Sequence, residues 1–134
     1  MKRVDMDKFE KLVGQLQSTY DEISLLSKKS PNDAVNKFKL KFINSLLEQA
    51  NEFLGQKYRP FSDFALFNED DVPQNSDTAF ILSQYLQCFE KFRADNVVMQ
   101  RGVWCWAIEA KQGEGADERG FIYIRTAIPK QLRG

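Results

Sequence analysis

The residues best suited to chemistry gather in the C-terminal third of the chain. Trp104 and Trp106 are its only tryptophans, two positions apart in RGVWCWAIEA, and Arg101, Arg119, Tyr123 and Arg125 surround them in sequence. On a strand, Trp104, Trp106 and Ile108 project to one side and Val103, Cys105 and Ala107 to the other. Rings turned inward are a sheet's share of a core. Rings turned outward are a platform on which unpaired bases stack while arginines meet phosphates. The platform reading makes Trp104, Trp106, Arg101, Arg119, Tyr123 and Arg125 the binding residues. Charge favours it at one end, because Arg119, Arg125, Lys130 and Arg133 are followed by no acid. The whole chain, however, balances 19 basic against 19 acidic residues. It therefore lacks the basic excess that supplies most non-specific nucleic-acid affinity.

There is no histidine. Ser-His-Asp and Cys-His pairs cannot be assembled, and the imidazole ligands used by most zinc and non-haem iron sites are missing. Any enzyme would have to work with carboxylates, lysines or tyrosines. The one spacing that points that way is Glu109-Ala110-Lys111 at the end of an apolar run, with Asp95 upstream. These residues resemble the E-x-K half of the PD-(D/E)xK nuclease motif. That resemblance implies a divalent metal held by the two acids and a lysine steadying the attacking water or the phosphate. It departs from the motif downstream, where a glycine-rich loop replaces the helix that normally follows. Asn68-Glu69-Asp70-Asp71 lacks the ligand alternation and turn glycine of a calcium loop and reads as a solvated acidic loop. Gly113-Glu114-Gly115 leads into no helix and is not a phosphate cradle. No cofactor fingerprint is present, so neither cofactor nor metal is expected.

The elements that must position these groups follow from periodicity. From Asp5 to about Lys28, Phe9, Leu12, Val13, Leu16, Tyr20, Ile23 and Leu26 fall at threes and fours, one apolar stripe on a long helix. Ser30-Pro31-Asn32-Asp33 has the form of an N-cap, a proline at the first helical position and an early acid. A second helix is expected to follow directly, with Val35, Phe38, Phe42, Leu46, Gln49 and Phe53 on one line, Ile43, Leu47, Ala50 and Leu54 widening it, and Gly55 at its end. Residues 55–75 read as an ordered loop pinned by Phe61, Phe64, Leu66 and Phe67, with a short strand at 64–67. Asn75 or Ser76 caps a third helix to about Ala94, whose Ala79-Phe80-Ile81-Leu82 is apolar all round and predicts the most buried helix. After Asp95-Asn96 the period changes to two, so Val97–Lys111 and Phe121–Thr126 form a β-hairpin around a mobile glycine-rich loop.

The fold class expected is therefore α+β, a single domain over residues 1–134: a long antiparallel helix pair and a buried third helix packed against a C-terminal β-hairpin. Cys88 and Cys105, with neither CxxC spacing nor histidine near them, are expected as reduced, buried thiols. No run of about 18 apolar residues exists and the N-terminus has no signal-peptide core, which predicts a cytoplasmic protein with no membrane contact. The leading functional expectation is a non-enzymatic protein interaction module, adaptor or accessory, homodimeric through the first helix or the hairpin edge. A single-stranded nucleic-acid binder and a metal-dependent nuclease are the alternatives.

Overall fold

The computed structural model describes residues 1–132; Arg133, counted above in the basic C-terminal run, lies outside them. Three helices, α1 (Arg3–Lys29), α2 (Lys37–Tyr58) and α3 (Asn75–Asn96), precede three strands, β1 (Val97–Gln100), β2 (Val103–Glu109) and β3 (Phe121–Arg125). The strands form one antiparallel sheet in the order β1-β2-β3. The arrangement is the α+β one expected. Among the described residues no helix is long and apolar enough to cross a membrane.

The α1 stripe is a core stripe. Met6, Phe9, Leu12, Leu16 and Ile23 are buried, and α1 packs on both other helices, most extensively on α3. Val13 and Tyr20 of the stripe also pack against this core, while Leu26 at its end is exposed. Val97, Trp106 and Ile108 reach this core from the sheet, and Phe89 and Leu82 reach it from α3. Complete burial of one such side chain contributes about 2 kcal/mol, so these layers hold one another in place.

Four expectations are corrected. The Ser30-Pro31-Asn32-Asp33 segment does not start a helix, because its backbone is spent elsewhere. Asn75 Nδ2 donates to Ser30 O at 3.0 Å, Val35 N donates to Pro73 O at 2.9 Å and Asn75 N to Asp33 O at 2.9 Å. These bonds tie the inter-helix turn to the start of α3. The helix begins six residues later under Asn36, whose Oδ1 accepts from Phe38 N and Lys39 N, the usual service of an asparagine cap. Residues 64–67 form no strand. Instead they lie along α2 as a loop held by two buried asparagines. Asn44 exchanges two bonds of 2.9 Å with the Phe67 backbone, and Asn51 donates to Ala65 O at 3.0 Å and accepts from Tyr85 Oη at 2.6 Å. The expected first strand breaks into β1 and β2 at Arg101-Gly102, where both residues have positive φ, 50° and 82°, as a two-residue hairpin turn of the primed type requires.

The fourth correction narrows the α2 stripe, from which Phe38, Phe42 and Gln49 are excluded. Leu40, Ile43, Leu47, Ala50 and Leu54 are buried, whereas Phe38 is 70% exposed and Phe42 59%. Gly55, with φ 63°, ends the regular helix as expected. α3 is less uniformly buried than its composition suggests, since Phe80 points outward. Cys105 is buried and Cys88 half-buried, both as free thiols.

Candidate interaction surfaces

The hairpin residues divide between the two faces of the sheet. β2 register pairs Trp106 with Val97 and Ile124, and Ala107 with Tyr123, so Trp104, Trp106, Ile122 and Ile124 face the helices while Cys105, Tyr123 and Arg125 face away. Trp106 is 1% exposed and meets Phe9 edge-on at 5.0 Å and Phe92 at 6.3 Å. It is a core ring. Trp104 is half-buried beneath the C-terminal segment, in a pocket it shares with Ala94, Ile128, Pro129 and Leu132. That segment is strapped down by polar contacts. Arg93 Nη1 donates to Thr126 Oγ1 at 2.9 Å, Lys130 N donates to Glu90 Oε1 at 3.3 Å and Lys91 Nζ donates to Leu132 O at 2.8 Å.

Arg101, Tyr123 and Arg125 belong to the outer face, which the helices do not cover. Gln100, Arg101, Val103, Cys105, Phe121 and Tyr123 line a shallow cleft of about 500 Å³ there, walled by Gly115 and Asp117 of the β2–β3 loop. Asp117 organises that wall. Its carboxylate accepts from Tyr123 Oη, from Phe121 N at 3.0 Å and from Arg119 N at 3.0 Å. Hydrogen bonding from Tyr123 above all, then from the two backbone N–H groups, holds the Asp117 carboxyl below its ordinary range, and the same bond raises the Tyr123 phenol. Arg119 stands exposed on the loop, joined to this wall through its backbone. The loop is also tied to α1, where Arg3 Nη2 donates to Glu114 Oε2 at 2.7 Å. A phosphate approaching the cleft would meet the Asp117 charge.

The E-x-K residues do not converge with Asp95. Glu109 is exposed at the end of β2, whereas Asp95 sits near the end of α3 and engages Tyr58 Oη at 2.9 Å and Lys91 Nζ at 3.4 Å. Among the described residues no three acidic or cysteine side chains are placed to hold a metal ion.

A second surface is one that sequence reasoning assigned to the interior. Phe38 and Phe42 stand one helical turn apart on the outside of α2 and touch edge-on, ring centroids 5.0 Å apart. Beside them runs a shallow groove of about 460 Å³ between α1 and α2, lined among others by Gly14, Ser18, Phe42, Ser45, Leu46 and Gln49. The two helices are clamped at one end by the Lys39–Glu22 ion pair at 2.6 Å. Small residues, Gly14 and Ser18 on α1 and Ser45 on α2, leave room at its floor, and Lys11 and Gln15 also line the α1 side. The sequence signal for this surface was "KFKLKF", in which only Leu40 is buried and the two phenylalanines share a face with no intramolecular partner element. No family model, curated protein or solved structure matches the chain.

Proposed function

We propose that this chain is a non-enzymatic protein-protein interaction module, an adaptor or accessory protein of the cytoplasm, and that α2 carries its contact surface. The observation that carries the reading is the exposed pair Phe38 and Phe42 beside an open groove between α1 and α2. Isolated exposed apolar side chains are ordinary, and two adjoining phenylalanines rimmed by polar residues have the aromatic composition that interface cores are enriched in. Two free thiols agree with a reducing compartment. The test compares the wild-type chain with a Phe38→Ser/Phe42→Ser variant as baits in lysate. Loss of partners in the variant is expected. A wild-type chain that has the mass of one chain at high micromolar concentration and recovers nothing would remove the reading.

A single-strand nucleic-acid binder is the second reading, favoured by one observation: Phe121 and Tyr123 alternate on the uncovered sheet face with Arg101 and Arg125 near them. Stacking and charge would then come from these side chains and not from the tryptophans. Salt-sensitive binding of mixed single-stranded oligonucleotides that Tyr123→Ala abolishes would move it ahead. Oligonucleotides that leave the amide resonances of β3 unmoved would dispose of it.

A further inference from the structure

The α2 surface has the features of one that pairs with itself. Gly14 lies in the middle of α1, where glycine costs a helix about 1 kcal/mol relative to alanine. Nothing in the chain requires the missing side chain, since a Cβ built there meets no atom within 4 Å. The space above Gly14 is the floor of the groove, and an occupant from outside the chain gives that glycine a use.

Charge on α2 identifies the occupant. On a helical wheel Phe38, Phe42, Ser45 and Gln49 form the outward stripe, and Lys37, Lys41, Glu48 and Glu52 flank it on one side. All four flanking residues are exposed, and among the described residues none of them forms an ion pair. The bases occupy the N-terminal half of the flank and the acids the C-terminal half. Two copies related by a twofold axis, with their α2 helices antiparallel and crossing at Ser45, bring position n of one beside position 90 − n of the other. Lys41 then faces the Glu48 and Glu52 flank of the second copy, and Lys37 faces its Glu52. The same flank meets itself across such an axis, with its direction reversed, so the basic half of each copy lies against the acidic half of the other. Phe42 of each copy arrives at the level of Glu48 of the other, over the groove. The four rings of the pair, at ~200 Å² each and mostly exposed, supply about 500 Å² of the ~1,000 Å² that a specific interface needs.

We infer that this chain forms an antiparallel homodimer through α2, with Phe42 of each copy seated in the α1–α2 groove above Gly14 of the other. The inference rests on the interaction-module reading and names the partner of that surface as a second copy of the chain, displacing α1 and the hairpin edge as the expected contacts.

The experiment is a concentration series in sedimentation equilibrium, run on the full chain and on four variants whose fold is verified by circular dichroism. The wild type is expected to rise with concentration toward twice the 15.6 kDa of one chain. Phe42→Ser is expected to weaken association at least about thirtyfold, as truncation of an aromatic hot spot does. Gly14→Met, which fills the groove with a better helix former, is expected to abolish the dimer while raising the unfolding midpoint of the monomer. A Lys37→Glu/Lys41→Glu chain and a Glu48→Lys/Glu52→Lys chain are each expected to be monomeric alone and to form a one-to-one heterodimer when mixed. A wild type that stays at one chain mass overturns the self-pairing, and the module reading then survives only through a different partner lost on Phe38→Ser/Phe42→Ser. A dimer unmoved by Phe42→Ser and Gly14→Met, or charge variants with no preference for one another, overturns it equally.

Discussion

Trp106 is the largest fully buried side chain of the protein, yet its indole Nε1 finds no acceptor. Packing and desolvation therefore pull in opposite directions at one residue. Removing the whole ring leaves a cavity beside Phe9 and Phe92, and Trp106→Ala is expected to cost about 3–5 kcal/mol. Trp106→Phe keeps much of the contact and deletes an N–H whose unpaired burial costs about 1–3 kcal/mol, so its penalty should stay under about 2 kcal/mol in urea denaturation. Equal losses for the two variants would mean that the N–H is satisfied. Asp117 gives a second residue-scale expectation. Its carboxyl is lowered in the folded chain by the Tyr123 hydroxyl and two backbone N–H groups, so the loop contact is complete above the ordinary aspartate value of about 3.9. It is lost as the pH falls below that value through the lowered one. The Phe121 and Arg119 amide resonances should report this midpoint in an NMR titration, shifted below 3.9, and Asp117→Asn should flatten the curve. A midpoint at or above 3.9 would deny the hydrogen bonds their effect.

At the level of elements, periodicity identified all three helices, because each places a continuous apolar stripe at threes and fours. It overstated the width of the α2 stripe. Ile43, Leu47, Ala50 and Leu54 are buried and Leu46 and Phe53 pack on the same core, with Phe53 against Phe9 of α1 and Phe89 of α3, and only tertiary packing decides that Phe38 and Phe42 at the edge of the stripe stay outside. The buried asparagines were a readable clue, since Asn44 and Asn51, seven apart, border the true core face. The β1–β2 turn escaped notice because arginine, not the usual Asn or Asp, precedes Gly102 at a position of positive φ. Of the candidate site, the sequence grouped Arg101, Tyr123 and Arg125 with the tryptophans by proximity alone; the register puts Tyr123 and Arg125 on the opposite face from the rings, and alternation by itself could not tell inward from outward. The asparagine clamp carries its own prediction. Asn51→Ala leaves Ala65 O and Tyr85 Oη without the partners they have now, which should cost about 2–3 kcal/mol and loosen the loop between α2 and α3. Limited proteolysis should then cut within residues 59–74 well before the wild type is cut there; an unchanged pattern would show that Phe61, Phe64 and Phe67 hold the loop alone.

At the scale of the whole molecule the question is whether helices and sheet can come apart. Arg93 joins α1, α3 and the segment that follows β3. It is 3% exposed, donates to Thr126 beyond β3 at 2.9 Å, lies 3.5 Å from Glu10 on α1 and 3.4 Å from Glu90 on its own helix, and covers the Phe9 ring at 5.2 Å. A buried cation stripped of such partners costs several kcal/mol, so the sheet and the tail cannot lift away while α1 and α3 stay in place. The first residue adds a clasp on the other side, where Met1 N donates to Ala107 O at 3.1 Å and Met1 O accepts from Glu109 N at 2.9 Å. Both contacts close loops of about a hundred residues and form only when the core does. The described residues should therefore unfold as one cooperative unit, the single domain expected from length. At concentrations where the chain has the mass of one copy, tryptophan emission reports the sheet and ellipticity at 222 nm reports the helices. Their melting curves should coincide, with a calorimetric enthalpy of about 90 kcal/mol near 60 °C for a chain of this length. Two separated transitions, with emission changing before helicity, would mean that the hairpin is a detachable layer, and the Arg93 network would then be an accessory contact rather than the joint between the layers.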